Sequence, residues 1–270
     1  MSDAPSANIL SPRGGGGRKL TKMDTESPAT NLSPGAADGY WAESRQPLTS
    51  LAFIAPLLAL YELGVVALRV QNGADAWMRK VLNVLGFGQH FLLPLVTIGI
   101  LLAWQHLTHR PWRFSAPVLL GMAVECLLLA IVLRLILHLQ GSLLQAIAGP
   151  SVLEVGAAGT EAVGLREAVG YLGAGIYEEL LFRLVLLSLV LWVLRRAGVE
   201  PRASLIAAVL LTSLLFAVAH HVGPYGEEFR WFYFLFRFLA GVFFSILFVF
   251  RGFGIAAGTH ALYDILVSAL

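Results

Sequence analysis

An all-α, polytopic transmembrane helix bundle of about seven spans (six to eight), preceded by a disordered N-terminal tail, is the fold class this sequence predicts. Three observations predict it. Of 270 residues, 57% are hydrophobic and only 13% charged, where a soluble domain carries roughly 25% charged residues. The apolar residues fall in long runs near the ~20 residues a helix needs to cross a bilayer. These runs are apolar all round and lack the polar face of a soluble amphipathic helix.

The first element is the tail. Residues 1–46 are rich in Gly, Pro, Ser and Ala, with the run Gly14-Gly15-Gly16-Gly17, and lack the apolar content that would offset ordering entropy. They hold no apolar core of a secretory signal, so the first hydrophobic segment is expected to act as an uncleaved anchor. The transmembrane domain is expected over 47–270, with spans near 48–68, 90–104, 116–139, 167–194, 203–220, 231–250 and 253–269. The 90–104 segment is short and contains Pro94, and 141–165 reads as re-entrant or interfacial.

Orientation follows from basic residues in the short loops. Arg13, Arg18, Lys19, Lys22 and Arg45 precede the first span, Arg110 and Arg113 follow the second, Arg195, Arg196 and Arg202 the fourth, and Arg251 the sixth. No Lys or Arg lies between 139 and 165, while Arg69, Arg79 and Lys80 weaken the contrast. The N-terminus is expected in the cytoplasm, the C-terminus outside, and the location in the plasma (inner) membrane of a bacterium. A net charge of +2 with scattered basic residues excludes a nucleic-acid binder. The single cysteine, Cys126, excludes an intrachain disulfide framework and a Cys-rich zinc site.

An ionisable side chain at a span centre costs ~2.5–3.5 kcal/mol on insertion scales, so it marks function or a buried pair. Three spans carry such residues. The fourth reads Tyr177-Glu178-Glu179-Leu180-Leu181-Phe182-Arg183. Glu179 and Arg183 are i,i+4 and pair on one face, a structural role, while Glu178 points about 100° away and is the candidate base. The fifth ends in Phe216-Ala217-Val218-Ala219-His220-His221, where His220 shares a helix face with Phe216 and His221 is the bland neighbour. The last carries His260 and Asp264 at i,i+4, the spacing of a histidine oriented by a carboxylate or of two ligands. Other charges read as structural: Glu62 in the first span and Glu125 and Arg134 in the third as interhelical pairs, Arg237 as snorkelling or paired, and His90, His106, His109 and His138 as interfacial.

In order, spacing and placement, these segments resemble the EExxxR, FxxxH and HxxxN/D signature of the CAAX protease and bacteriocin-processing (Abi) family, over about 165–270. The resemblance implies an intramembrane endopeptidase acting on a membrane-associated protein or peptide. In it Glu178 and His220 would activate the attacking water, His260 and Asp264 would stabilise the oxyanion, and Glu179 and Arg183 would hold the helix. Asp264 stands where Asn is frequent, so either it is protonated or it accepts a hydrogen bond from His260; the second is expected. Glu178, His220 and His260 are also a plausible three-ligand zinc set, and a metal-free glutamate mechanism is equally open. The alternatives are a non-catalytic bacteriocin-immunity or partner-binding membrane protein and an ion-coupled transporter, for which inverted repeats are expected and none is evident.

Overall fold

The structure is a computed structural model that describes residues 35–88, 91–148, 164–223 and 226–269. Every element in those residues is helical. α1 (Gly35–Ser44), α2 (Pro47–Leu68) and a short α3 (Gly73–Val84) lead into α4 (Leu92–Leu107) and the long α5 (Ala116–Ala148). A composite helix follows, built from α6 (Leu165–Gly173), two π-helical stretches, π1 (Ala174–Glu178) and π2 (Leu180–Leu187), and α7 (Ser188–Arg196). Then come α8 (Pro201–Ala219), α9 (Trp231–Arg251) and α10 (Phe253–Ala269). Among the described residues α2, α5, α8 and α9 are long and apolar enough to cross a membrane, and α4 and α10 are shorter apolar helices.

The helix ends follow local chemistry. Pro47 and Pro201 sit in first turns, where a missing N–H costs nothing. Pro94 lies in the first turn of α4 for the same reason and leaves the helix intact. Glu200 caps α8 by accepting from Ala203 N at 2.8 Å, which together with the Arg202 N–H holds its carboxyl below the usual range. Gly252, at φ 88°, joins α9 to α10, a left-handed conformation that favours glycine.

Several sequence expectations need correction. The tail does not run unstructured to residue 46, because 35–44 form α1, tied down by a hydrogen bond from Ser115 N to Glu43 Oε1 at 2.6 Å. The third apolar segment continues helical through 148; the remainder of the 141–165 expectation, the basic tail residues and His90 lie outside the described residues. α3 was unforeseen. His106, His109 and His138 are exposed, as interfacial residues would be.

α10 is the centre of the bundle: residues 253–261 are all buried, as an all-round apolar helix in a core should be. Small residues let neighbours approach it closely. A Cβ at Gly258 would meet Phe53 at 2.6 Å, and one at Gly175 would lie 2.6 Å from Ala261 N and 2.7 Å from Ala257 O. π1 therefore packs backbone against backbone on α10, which places Glu178 beside His260.

The connections define two ends. At one, Leu48 N donates to Gln105 Oε1 (3.1 Å) and Arg251 Nη2 to Ser44 Oγ (3.0 Å), joining the start of α2, the end of α4 and the end of α9. At the other, Gln140 Nε2 donates to Phe232 O (2.9 Å) and Ser268 Oγ to Tyr171 Oη (2.6 Å), joining late α5, early α9, the end of α10 and α6.

Candidate active site

Glu178 ends π1 and Glu179 links π1 to π2. π-helical turns in α-helices recur at functional sites, and here they bracket both carboxylates. Glu179 and Arg183 form the expected ion pair at 3.0 Å, both side chains closed to solvent at 0% and 1% exposure. Arg183 also donates to Gly241 O (3.2 Å) and lies 4.4 Å over the Phe216 ring. The guanidinium thus ties π2 to α8 and α9 from within, and its charge is matched by carboxylate, carbonyl and π-face.

Glu178 faces differently. Its Oε2 is buried and accepts no hydrogen bond among the described residues, yet His220 Nε2 is 3.6 Å away and His260 Nε2 3.9 Å. Such separations exceed a direct hydrogen bond and suit groups that share a small bridging molecule. Side-chain exposure is 12% for Glu178 and 25% for His220, against 0% for Glu179.

Each imidazole is oriented through Nδ1. His220 follows the last turn of α8, and its Nδ1 lies 2.8 Å from Phe216 O, an acceptor only, so Nδ1 carries the proton and Nε2 is turned to Glu178. Phe216 packs on His220 at 4.7 Å and near His260 at 6.1 Å, which is why their shared helix face mattered. His221 turns away: its Nδ1 lies 3.2 Å from Glu227 O and its ring packs on Phe229 and Phe234.

His260 corrects one expectation. Its Nδ1 bonds Glu179 Oε1 at 2.7 Å, while Asp264 Oδ2 is 3.6 Å from Nε2, beyond hydrogen-bond reach. Glu179, not Asp264, orients the ring, because the π1–α10 contact brings that carboxylate to Nδ1 and leaves Nε2 for Glu178 and Asp264. Phe244 stacks on the imidazole at 4.4 Å and 17°. Glu179 thus serves Arg183 and His260 together, beyond the supporting role the i,i+4 spacing suggested.

Asn72 was missed. It caps α3, with Oδ1 accepting from Ala74 N at 2.8 Å and its own N–H donating to Tyr61 Oη at 3.1 Å. Both contacts leave Nδ2 directed at Glu178 Oε1, 3.4 Å away. Asn72-Gly73-Ala74-Asp75 carries a helix-start signal; its reach to a residue 106 positions later does not show in sequence. Behind it Arg79 pairs with Asp75 and, at 3.2 Å, with Glu62, to which Tyr177 Oη donates at 2.5 Å. Glu62 is therefore an interhelical partner, as expected. Arg237 meets Glu227 at 2.5 Å, and Glu125 meets Arg251, on α9.

The donor types suit zinc, but among the described residues no three His, Cys, Asp or Glu side chains are grouped to hold a metal ion. The arrangement can hold a water between a carboxylate and two oriented imidazoles.

No curated protein and no solved structure matches the chain. A family does match, over residues 165–266, the stretch that contains π1, π2, both histidines and Asp264. That stretch is similar to the family described as type II CAAX prenyl endopeptidase Rce1-like.

Proposed function

We propose that the protein is an intramembrane endopeptidase that hydrolyses a peptide bond in a membrane-attached protein or peptide, using a water activated by Glu178 and His220. One observation carries the reading: the buried, unbonded Glu178 Oε2 faces the Nε2 atoms of two imidazoles whose Nδ1 atoms are already engaged. The family match supports it.

In the proposed reaction Glu178 takes a proton from water held between Oε2 and His220 Nε2, and the hydroxide adds to the scissile carbonyl. His260 Nε2, fixed by Glu179 behind it, donates to the developing oxyanion; one such preorganised donor contributes ~2.7–4 kcal/mol. Glu178 then returns its proton to the leaving amine. Asp264 Oδ2 lies 3.6 Å from the same Nε2. The reaction runs through the chain's own residues, with no step through a metal. We read the composite helix and the apolar helices α2, α4, α5, α8, α9 and α10 as seven spans in a bacterial plasma membrane.

The test is cleavage by purified protein of two probes, a farnesylated peptide ending in a CAAX sequence and an unlipidated transmembrane peptide. Wild type is expected to cut at least one, and Glu178→Gln and His260→Ala to lose activity while melting like wild type. Undiminished activity in both variants would remove the catalytic assignment. Bound zinc, measured on the same sample, together with loss of activity on chelation and its return with zinc, would replace the metal-free version.

A further inference from the structure

The catalytic cluster and the arginine-bearing loops lie toward opposite ends of the bundle. α8 runs 19 residues from Pro201 to Ala219, roughly 28 Å at 1.5 Å per residue, so Arg195, Arg196 and Arg202 at its start are a membrane thickness from His220 at its end. The start of α2, the end of α4 and the end of α9 share the arginine end, bringing Arg45, Arg110, Arg113 and Arg251 to that side. Asn72, just past the end of α2, and residues 220–223 and 226–230 before α9 lie on the site side.

The loops differ in charge as they differ in place. Each connection at the arginine end carries Arg or is flanked by it in the adjoining helix ends, and Arg13, Arg18, Lys19 and Lys22 precede the first span. At the site end, 139–165 has no Lys or Arg and Arg166 stands in the first turn of α6, 221–230 has only Arg230, and the remaining loop holds Arg69, Arg79 and Lys80. Arg79 there is drawn into Asp75 and Glu62, with 12% of its side chain exposed. Basic residues in short loops stay in the cytoplasm.

We infer that the catalytic cluster is served from the extracytoplasmic face, so that its substrate is a membrane-attached peptide presented on that face and not a cytoplasmic tail. The description of the cluster as a substrate site rests on the proposed peptidase function; its sidedness does not. In the segment that follows His220, Val222, Phe229 and Trp231 are exposed apolar side chains, the composition of a segment lying at a membrane–water interface.

Two single-cysteine probes test this in intact cells with a membrane-impermeant maleimide, the native Cys126 being fully buried. Val222→Cys stands at the site end, and Ala197→Cys, an exposed position between α7 and α8 that leaves every arginine in place, at the other. Labelling of Val222→Cys in intact cells, with Ala197→Cys reacting only after lysis, is expected. The reverse pattern, or equal labelling of both before lysis, overturns the inference. Because labelling needs no turnover, an inactive or metal-dependent enzyme would unseat the proposed mechanism and leave this result standing, whereas reversed labelling of an active enzyme would do the opposite.

Discussion

Two buried clusters of charge in this bundle are built from similar parts and finished differently. Around Glu125, Arg251 donates Nε to Oε1 at 2.5 Å and Nη2 to Oε2 at 2.6 Å, Tyr40 Oη donates to Oε2 at 2.5 Å, Arg251 Nη2 also reaches Ser44, and Trp41 covers the guanidinium at 3.7 Å. Both carboxylate oxygens have donors. Around Glu178, one oxygen has a long contact from Asn72 and the other has none, although two imidazoles stand 3.6 and 3.9 Å from it. A buried polar group left unsatisfied costs about 1–3 kcal/mol, more when charged. Buried charge is therefore common to both clusters, and a carboxylate oxygen left without a donor distinguishes the second.

The largest expected effect lies at the open cluster. Glu178→Gln keeps shape and removes the base, so the rate of cleavage should fall by about 10²–10⁴, with the melting temperature within a degree or two of wild type. His220→Gln should fall in the same range and His221→Gln should not, since only His220 turns Nε2 to Glu178. Steady-state cleavage measured beside thermal unfolding in detergent separates the cases, and a Glu178→Gln protein that melts much lower would make Glu178 structural like Glu125.

At the closed cluster the expectation reverses. Arg251→Ala leaves Glu125 buried without its bidentate partner and should cost about 3–5 kcal/mol. Any protein that still folds should cleave at a near-normal rate. Reversible unfolding in mixed micelles measures the loss; a stable Arg251→Ala protein with impaired turnover would erase the distinction between the clusters.

Asn72 sits between them in magnitude. Asp and Ser cap helices about as well as Asn, so Asn72→Asp and Asn72→Ser keep the start of α3 while removing the amide donor to Glu178. A fall of roughly 10–100-fold in kcat with little change in KM is expected, as for other groups that orient a reacting residue, and unchanged kcat would reduce Asn72 to a cap.

These residues also show what sequence could reveal. The bundle was legible because all-round apolar runs have one stable solution in lipid, and Glu178, His220 and His260 because charge there is costly enough to demand a reason. The spacing from Glu179 to Arg183 and from Phe216 to His220 gave real contacts, since i,i+4 is a local geometry. What failed was long-range or outside the α-helical repeat. His260 and Asp264 are also i,i+4, yet Glu179 takes the Nδ1 bond, because Gly175 lets π1 press against α10. π1 and π2 leave no signature in apolar periodicity, and α1, whose residues are mostly small and polar, is ordered by partners 70 or more positions away.

The smallest expected effect concerns the segment over the site. Burial pushes the Glu227 carboxyl up, but the hydrogen bond and charge of Arg237 outweigh it and hold the group below the usual carboxylate range. A depressed folded value means the contact contributes fully above the ordinary range and is lost as pH falls through the lowered value. Amide protection of 226–230, corrected for intrinsic exchange, should therefore stay constant from pH 7 to pH 5 and drop only in stronger acid. Glu227→Gln should show modestly reduced protection throughout that range and no acid step, with a change of well under 1 kcal/mol because the carboxylate is largely solvent-exposed. An acid step that persists in Glu227→Gln would assign it to another group, and the Glu227–Arg237 pair would then hold the segment without setting its response to pH.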